Sequence, residues 1–371
     1  MKVLWLSWKD ITHPDSGGAE MSGLEHAKAW TQAGHSVHWV STGYTNSKQQ
    51  EVVDGIVYEH IGSKWMWYLG VIHILMAYKY ITQWKNEYDF IVDEIHGPPL
   101  LTPLYAKKPK IVIIHEVAGD IWKKTVPFPI SWIAQHIVEP FFFKAYTKVP
   151  FIVGAQTTKD DLIKVGISEQ NITLIPYGVT IPIQKTNYPK EVTPTLIFLS
   201  SLRPIKGFDR VYEAFKSIQK EIPEIKLWVV GDDSLPYGQK LKQKVLRENK
   251  NVIFNGKVSQ EEKFELLQRA HILTHGSYKE GWGLVVIESN AVGTPAVVFD
   301  AAGLRNSIIS DKTGYLARSE REFCGYIVEL LNNTEKYTKM QQDAKVWSKQ
   351  FSWGNSTAQS LQIISKMLNS K

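Results

Sequence analysis

The chain has 371 residues, which is enough for two packed domains of ordinary size. Hydrophobic residues make up 43% of it and charged residues 22%, and this composition excludes collagen-like, low-complexity and largely disordered proteins. The net charge of +6 is too small for a protein that coats nucleic acid, and the single cysteine, Cys324, excludes an intrachain disulfide and a cysteine-rich zinc site, so a reducing cytoplasmic setting is expected.

Charge and tryptophan are unevenly distributed along the chain. Residues 1–185 contain 17 Lys, no Arg and 17 acidic residues, whereas residues 186–371 contain 26 Lys and Arg, including all seven Arg, against 20 acidic residues. Nine of the thirteen Trp lie in the first half. The two halves therefore differ in surface chemistry, which agrees with two domains that hold different ligands.

The chain begins with an apolar run, Lys2–Ser7, that is too short for a signal peptide and is expected to form a buried strand. The longest apolar run, residues 65–78, is interrupted by His73 and falls short of the roughly 20 residues that a membrane-spanning helix needs. We therefore expect neither a leader peptide nor a transmembrane helix.

Short apolar runs alternate with helical patterns along the whole chain, which is typical of βαβ units around parallel sheets. The strands expected in the first half are Lys2–Ser7, Ser36–Ser41, Phe90–Asp93, Lys110–His115 and Pro150–Val153. The helices expected there are Ala19–Ala33, Trp65–Lys85, Ile130–Tyr146 and Thr158–Lys164. Ligands of such sheets bind beyond the carboxyl ends of the strands, so the loops after strands are the candidate binding sites.

A polar, proline-bearing stretch at residues 180–189 is expected to be a linker. A second series of strands follows it: Thr195–Ser200, Lys226–Val230, Val252–Phe254, Ile272–His275 and Ala296–Phe299. The sequence therefore predicts an α/β protein with two doubly wound domains, residues 1–185 and residues 186–353.

Paired glycines, Gly17 and Gly18, follow the first strand and precede a helix. Glycines let backbone N–H groups approach a ligand closely, and a helix N-terminus adds partial positive charge that favours a phosphate. A turn of this kind is just as often purely structural, and its spacing differs from the G-x-G-x-x-G dinucleotide fingerprint.

The loop after the strand 195–200 carries Arg203 and Lys206 and opens a helix. Two cations at this place suit a diphosphate, and the Arg side chain offers a bidentate fork. The alternative is that both are ordinary surface cations.

The segment from His275 to Pro295 is the most informative part of the sequence. A glycine-rich turn carries Glu280, and Glu288 follows about one turn inside a helix that begins near Gly283. The two carboxylates can face one cleft, with turn amides between them, which suits a sugar, a diphosphate and a ribose side by side. Either Glu alone would be interpreted as a helix cap or a solvated side chain.

This segment resembles the Glu-x7-Glu motif of retaining GT-B glycosyltransferases, family 4 in particular, also described as glycosyl transferases group 1. The likeness extends over nearly the whole chain and includes Gly17-Gly18-Ala19-Glu20, Lys206-Gly207-Phe208, Gly231-Asp232, residues 252–258, Glu280-Gly281-Trp282-Gly283-Leu284 and residues 301–305. The resemblance implies two Rossmann-like domains facing each other across a cleft, an acceptor domain (1–185) and a donor domain (186–353). A C-terminal helix at about 354–371 is expected to pack back on the first domain.

The catalytic residues that the resemblance implies are His115, Glu280, Lys206 and Arg203. Glu280 would contact hydroxyl groups of the transferred sugar, His115 would lie near that sugar, and the two cations would stabilise the departing nucleoside diphosphate. The implied donor-binding residues are Gly17, Gly18, Arg203, Lys206, Gly231, Lys257, Val258, Gly281, Trp282, Gly283, Leu284 and Glu288.

The chain departs from the family pattern at Ser201, where the family commonly has the Arg of Gly-Arg-Leu. Arg203 is the only Arg nearby, so Lys206 is the firmer diphosphate ligand, and Arg305 has no assigned role. No residue is an obvious nucleophile of the glycosidase kind, which favours front-face attack assisted by the departing phosphate. Independence from metal ions follows from the resemblance alone.

The sequence thus predicts an enzyme that moves a sugar from a UDP- or GDP-linked donor, with no other cofactor, to a hydroxyl of a glycan or lipid-linked acceptor. The alternatives are a sugar-nucleotide epimerase on the same fold and a non-catalytic nucleotide-sugar-binding protein. No nucleic-acid partner is expected.

Two aromatic, lysine-bearing stretches, residues 63–88 and 122–148, suit a surface that lies in an anionic membrane interface. They could equally be core helices packed on the sheet, and for residues 63–88 the core interpretation is preferred. The membrane interpretation predicts a cytoplasmic protein held peripherally on the inner face of the cell membrane.

Overall fold

A computed structural model of the protein describes residues 1–68, 70–181 and 187–369. The chain forms two compact units: unit 1 contains residues 1–178 and the C-terminal segment from Trp353, and unit 2 contains residues 179–352. The predicted boundary between residues 185 and 186 lies outside the described residues. Trp353, which the sequence places in the second domain, belongs to unit 1, where its ring centroid lies 6.3 Å from Tyr177 and 6.4 Å from His26.

Unit 1 is built around one sheet. Its strands in the described part of the chain are β1 (Lys2–Leu6), β2 (Ser36–Thr42), β3 (Gln50–Val53), β4 (Ile56–Ile61), β5 (Phe90–Ile95), β6 (Lys110–Ile114), β7 (Phe151–Val153) and β8 (Ile172–Leu174). They run in the order β3-β4-β2-β1-β5-β6-β7-β8, and every neighbouring pair is parallel except β3 with β4.

The helices of unit 1 cover both faces of this sheet. The described α-helices that precede its C-terminal segment are, in chain order, α1 (Gly18–Gln32), α2 (Lys64–Tyr68), α3 (Val71–Lys79), α4 (Trp122–Thr125), α5 (Ile130–Ile133), α6 (Glu139–Lys144) and α7 (Gln156–Lys164). Strands buried on both faces read as continuous apolar runs, which is why β1 and β6 are visible in the sequence.

The strand register shows which helices share a face. Leu6 of β1 pairs with Asp93 of β5, which pairs with Val112 of β6, so the three side chains lie on one face. Leu6 packs in the cluster that contains Met76 of α3, and Val112 packs in the cluster that contains Phe143 of α6. Helices α3 and α6 therefore cover the same face of the sheet, and α1 covers the opposite one.

Two helices predicted as single elements are interrupted. The predicted helix Trp65–Lys85 breaks at Gly70, which adopts φ 72°, and continues after α3 as a π-helical turn, Tyr80–Trp84. The predicted helix Ile130–Tyr146 contains a second π-helical turn, Ala134–Val138, just before Pro140. Proline lacks the N–H that a regular helix would donate to the preceding turn, so the backbone widens there.

Unit 2 also has a central sheet with helices. Its described strands are β9 (Thr195–Leu199), β10 (Lys226–Val230), β11 (Val252–Gly256), β12 (Ile272–His275), β13 (Ala296–Phe299) and β14 (Gly314–Ala317), in the order β11-β10-β9-β12-β13-β14 and all parallel. Its described helices are α8 (Phe208–Gln219), α9 (Pro236–Glu248), α10 (Gln260–Arg269), α11 (Leu284–Ala291), α12 (Leu304–Ser307), α13 (Glu320–Asn332) and α14 (Thr334–Ser348). The predicted α/β class with two parallel-sheet domains is confirmed.

The last helix, α15 (Trp353–Asn369), packs on α1 of unit 1. The Ser360 hydroxyl lies 3.0 Å from His26 Nδ1 and accepts a 3.0 Å hydrogen bond from the Trp30 indole, and Ile364 is buried in the same core. Over the described residues, no helix is long and apolar enough to cross a bilayer.

Candidate functional site

The loops after β9 and β12 pack backbone against backbone at the carboxyl edge of the unit 2 sheet. Gly207 has φ 61°, and a Cβ atom on it would lie 2.0 Å from the carbonyl oxygen of Gly276. A Cβ atom on Gly276 would lie equally close to the Gly207 carbonyl. The Tyr278 N–H also donates to the Ile205 carbonyl at 3.0 Å. Only glycine allows this approach, so the two loops hold each other in place.

Lys206 and Glu280 meet where these loops touch. Lys206 Nζ donates to Glu280 Oε1 at 2.8 Å, and the Ser277 hydroxyl donates to the same oxygen at 2.5 Å. Burial pushes the pKa of Glu280 upward, but the charge of Lys206 and the hydrogen bonds from Lys206 and Ser277 outweigh it and hold the pKa below its usual value. Glu280 is therefore an ionised carboxylate with a cation beside it.

The turn after Glu280 is shaped for close backbone contact. A Cβ atom on Gly303 would lie 2.1 Å from the Glu280 carbonyl oxygen, so the loop after β13 also packs against this turn. Gly283 adopts φ 91° and precedes the first residue of α11, Leu284. Gly281 follows Glu280 directly, and the first turn of any helix carries N–H groups that lack intrahelical partners. The turn can thus offer donors to an anion.

The side chains of Trp282 and Glu288 have structural contacts. The Trp282 indole is buried and packs edge to face on Phe351, with centroids 5.0 Å apart, so the ring belongs to the core and its backbone is the part that could meet a donor. Glu288 Oε1 accepts from Lys263 Nζ of α10 at 2.6 Å. Lys263 could not be predicted from the sequence, because nothing in its spacing shows that α10 and α11 are neighbours.

The loop that carries Arg203 touches the end of β10, because the backbone N–H of Leu202 donates to the Asp232 carbonyl at 2.8 Å. Hydrogen bonds from Ser234, and more weakly the positive charges of Arg203 and Lys257, hold the pKa of Asp232 below its usual value. Gly231, just before Asp232, donates to the carbonyl of Gly256 at 2.8 Å. Val258, which follows Lys257, packs half-buried against the core. The structure therefore associates Arg203 with Asp232 and Lys206 with Glu280.

At the edge of the unit 1 sheet, Gly17 and Gly18 are exposed at the N-terminus of α1. The Gly17 N–H donates to Glu20 Oε2 at 2.7 Å. Glu20 Oε1 lies 3.1 Å from His96 Nδ1 and 3.5 Å from Lys9 Nζ. Although Glu20 is buried, these partners hold its pKa far below the usual value. Glu20 thus fixes the glycine turn, a role that the sequence does not reveal because His96 is 76 positions away.

His115, at the carboxyl end of β6, is 5% exposed and has a partner at each ring nitrogen. Its Nε2 lies 2.8 Å from Glu94 Oε1, and its Nδ1 contacts the Tyr177 hydroxyl. Trp5 Nε1 donates to the other oxygen of Glu94 at 2.7 Å. Burial raises the pKa of Glu94. A sugar hydroxyl would have to replace one of these partners to bind a ring nitrogen of His115. The sequence could have indicated Glu94, because a carboxylate inside an otherwise apolar strand is unusual.

A second buried network of unit 1 joins the loop after β1 to the ends of strands β2 and β4 and to the loop between β2 and β3. Asp10 is fully buried, and its carboxylate accepts from Ser41 at 2.5 Å and from the backbone and hydroxyl of Thr12 at 2.8 and 2.6 Å. His60 Nε2 lies 3.0 Å from Asp10 Oδ2, and His60 Nδ1 lies 2.6 Å from the Lys48 carbonyl. Despite burial, the hydrogen bonds lower the pKa of Asp10 and raise that of His60. The pair is therefore a buried ion pair.

Replacing His60 with Gln should lower the melting temperature of unit 1 at pH 5.5 by about 6 to 12 °C, because loss of one partner from a buried ion pair costs about 3 kcal/mol. Asp10 contributes fully to the free energy of unfolding above its ordinary pKa of 3.8. His60 contributes fully below its ordinary pKa of 6.5, and its contribution is lost as the pH rises through its raised pKa in the folded state. The difference in melting temperature between the wild type and His60→Gln should therefore be smaller at pH 8.5 than at pH 5.5.

Calorimetric scans of the full chain at both pH values test this. His136→Gln is the control, because His136 is exposed and contacts a residue of its own helical segment: its Nδ1 lies 3.0 Å from the Trp132 carbonyl, and its ring stacks on the Trp132 side chain. If His60→Gln lowers the melting temperature equally at the two pH values, the ion pair is not the cause.

Within the described residues, no group of three or more His, Cys, Asp or Glu could hold a metal ion.

Both halves of the chain match known families. Residues 16–181 match the family described as Glycosyltransferase Family 4, and residues 181–347 match the family described as Glycosyl transferases group 1. Together the two matches cover most of the chain.

Curated relatives match parts of the chain. The alpha-monoglucosyldiacylglycerol synthase of Streptococcus pneumoniae is 35% identical over 274 residues, 73% of this chain and 56% of that protein. A GDP-Man:Man(3)GlcNAc(2)-PP-Dol alpha-1,2-mannosyltransferase of Dictyostelium discoideum is 33% identical over 120 residues, 32% of this chain and 24% of that protein. The chain thus spans less than two thirds of the length of these relatives.

Solved structures resemble the whole chain at lower identity. A sucrose-phosphate synthase from Thermosynechococcus elongatus superposes with a TM-score of 0.82 at 16% identity and covers 100% of both chains. Anabaena HepE, solved with UDP and glucose, gives a TM-score of 0.75 at 18% identity and covers 99% of this chain and 100% of that chain. These likenesses confirm the predicted GT-B fold.

Proposed function

The chain belongs to the group 1 and family 4 glycosyltransferases, and we propose that it transfers a sugar from a UDP- or GDP-linked donor to a hydroxyl group of a glycan or lipid-linked acceptor. We further propose that the anomeric configuration is retained and that no metal ion is needed. The observation that carries the proposal is the Lys206–Glu280 pair, set at 2.8 Å in a turn packed by glycines at the carboxyl edge of the unit 2 sheet.

The proposed chemistry is electrostatic assistance to the leaving group. The bond between the anomeric carbon and the phosphate oxygen breaks, and negative charge accumulates on the diphosphate. Lys206 has N–H groups beyond the one that Glu280 accepts, and these would stabilise that charge together with the amides of the turn before α11. The acceptor hydroxyl attacks from the same face, and its proton passes to the departing phosphate oxygen.

Glu280 would bind hydroxyl groups of the sugar, and Glu288 the ribose. The edge of the unit 1 sheet, where Glu20, His96 and His115 gather, is the proposed acceptor region. The roles of Gly17, Gly18 and His115 toward the donor are part of the proposal.

No observation favours the epimerase or the non-catalytic alternative.

A thermal-shift screen of UDP-glucose, UDP-N-acetylglucosamine and GDP-mannose should identify one donor that raises the melting temperature, since a ligand that binds only the folded state stabilises it. Replacing Glu288 with Ala should then weaken the calorimetric Kd of that donor about tenfold, because a hydrogen bond to a charged group is lost. EDTA should leave both measurements unchanged.

Glu261→Ala is the matched control, because Glu261 is an exposed carboxylate in the first turn of α10. Its Kd should equal that of the wild type. If Glu288→Ala also binds the donor with wild-type affinity, the assignment of Glu288 to the ribose is wrong.

We also propose that unit 1 rests on an anionic membrane surface. The inner residues of α3 and α6, such as Met76 and Phe143, are buried, but both helices lie over the same face of the sheet and have exposed apolar residues on their outer side. Together with exposed residues of α5 and of the two adjoining π-helical turns, they form an outer apolar face that consists of Ile74, Tyr78, Ile81, Ile130, Ile133, Ile137 and Phe141. Exposed lysines accompany it: Lys64, Lys85, Lys107, Lys123, Lys144 and Lys148.

Apolar side chains flanked by lysines suit the boundary between acyl chains and anionic headgroups. The name of the Streptococcus pneumoniae relative, a synthase of a glucosylated diacylglycerol, agrees with a lipid-linked acceptor for this chain. We therefore propose that residues 63–88 and residues 122–148 each have one side in the protein core and the other side toward the membrane.

Wild-type protein should float with vesicles that contain about 30% phosphatidylglycerol at low salt and should be released at 0.5 M NaCl, because salt screens the lysines. The triple variant Ile74→Ser, Ile137→Ser, Phe141→Ser should stay with the soluble fraction. Val346→Ser, which removes an exposed apolar residue of α14 in unit 2, should float like the wild type. Absence of wild-type flotation at low salt would refute the membrane proposal.

A further inference from the structure

His275 lies at the end of β12, beside the Lys206–Glu280 pair, and the proposed chemistry gives it no role. It is 1% exposed, and its ring packs on Phe198 with centroids 5.4 Å apart. Burial lowers its pKa to about 4, so the ring is neutral near neutral pH.

The proton of this neutral ring can be assigned. The Ser277 N–H donates to His275 Nδ1 at 3.2 Å, so Nδ1 is the acceptor and the proton lies on Nε2. Nε2 is 3.8 Å from Glu280 Oε1. The N–H dipole thus adds to the field that Lys206 and the Ser277 hydroxyl place on the same oxygen.

In the described part of the chain, the hydrogen bonds from Lys206 and Ser277 and the 3.8 Å approach of His275 all involve Oε1 of Glu280. Among the residues that the structure describes, none is a hydrogen-bond partner of Oε2. A carboxylate held by one oxygen presents the other to a ligand in a fixed direction, which lowers the cost of ordering it on binding.

We propose that His275 and Ser277 are positioning residues that hold Glu280 through Oε1 and so direct Oε2 to the hydroxyl groups of the donor sugar. His275 itself touches no substrate. This inference rests on the proposed function, because it assigns Glu280 to the sugar part of the donor. It predicts that loss of His275 weakens binding of the sugar and leaves binding of the nucleoside diphosphate unchanged.

Calorimetry on the full chain tests this with four probes: UDP, UDP-glucose, GDP and GDP-mannose. The wild type is expected to bind either UDP and UDP-glucose or GDP and GDP-mannose. For the two probes that it binds, His275→Phe should weaken binding of the nucleotide sugar about tenfold in Kd and should change the Kd of the nucleoside diphosphate less than twofold. His275→Gln should recover most of the loss, because its side-chain amide can place an N–H where Nε2 was. A general loss of stability would affect both ligands alike.

His271→Phe is the matched control. His271 precedes β12 at the opposite end, its pKa is also lowered to about 4 by burial, and its Nδ1 accepts from the Thr195 N–H at 3.1 Å. It should lower stability without changing the ratio of the two Kd values. A similar change of that ratio in His271→Phe, or an unchanged ratio in folded His275→Phe, would overturn the inference.

Nitrogen-15 chemical shifts of His275 give a readout that needs no ligand. We expect an unprotonated Nδ1 and a protonated Nε2 at pH 7, and a proton on Nδ1 would overturn the inference. If the wild type binds none of the four probes, the proposed function is wrong. In that case the tautomer of His275 still tests the geometry of His275 and Glu280.

Discussion

Replacing Lys206 with Met should lower the rate of sugar transfer about 10²- to 10³-fold. Met keeps the length of the side chain and removes the charge that stabilises the leaving diphosphate, and loss of one preorganised donor to a developing anion has an effect of this size. Glu280 would at the same time lose the 2.8 Å contact that neutralises it. The rate is measured as release of UDP or GDP from the donor that the thermal-shift screen identifies.

Lys216→Met provides the control for this experiment. Lys216 lies on α8, ten residues farther along the chain, and its Nζ pairs with Glu213 at 2.8 Å on the surface of that helix. This variant should keep the wild-type rate. If Lys206→Met keeps more than a third of the wild-type rate, leaving-group stabilisation by Lys206 is not part of the mechanism.

Replacing Gly276 with Ala should lower the melting temperature of unit 2 by about 5 to 10 °C. The new methyl group would lie 2.0 Å from the Gly207 carbonyl oxygen, so the two loops must separate, and overpacking of this kind costs about 2 to 3 kcal/mol. Because the loop after β12 carries Glu280, donor binding should weaken as well.

Gly325→Ala separates this clash from the general effect of an added methyl group. Gly325 lies inside α13, and nothing lies within 4 Å of the position that its Cβ would take. Alanine is the better helix former by about 1 kcal/mol, so this variant should melt at or above the wild-type temperature. Differential scanning calorimetry measures both variants, and an unchanged melting temperature of Gly276→Ala would contradict the tight packing of the two loops.

Much of the fold could be predicted from the sequence because buried parallel strands are continuous apolar runs. The runs at β1, β10 and β13 show this directly. Strands β3, β4, β8 and β14 were missed. Among them, β3 is a short edge strand with mainly exposed side chains, and β14 starts at a glycine whose place is fixed by pairing with β13. Neither feature produces a local apolar pattern.

The site was predictable only where its residues are close in sequence. The spacing of Glu280 and Glu288, and of Arg203 and Lys206, is visible without a structure. The contact between His115 and Tyr177 joins residues 62 positions apart, and that between Trp5 and Glu94 joins residues 89 apart. Such contacts depend on strand order, since β1 and β6 both lie next to β5. Single-sequence patterns do not contain that order.

Hydrogen–deuterium exchange of the full chain, with and without the identified donor, tests most directly whether the loops at the carboxyl edge of the unit 2 sheet hold the nucleoside diphosphate sugar. We predict slower exchange of backbone amides in residues 203–207 and 276–285 when the donor is bound, and unchanged exchange in α13. Slower exchange confined to other segments, or no change at saturating donor, would contradict the proposed site.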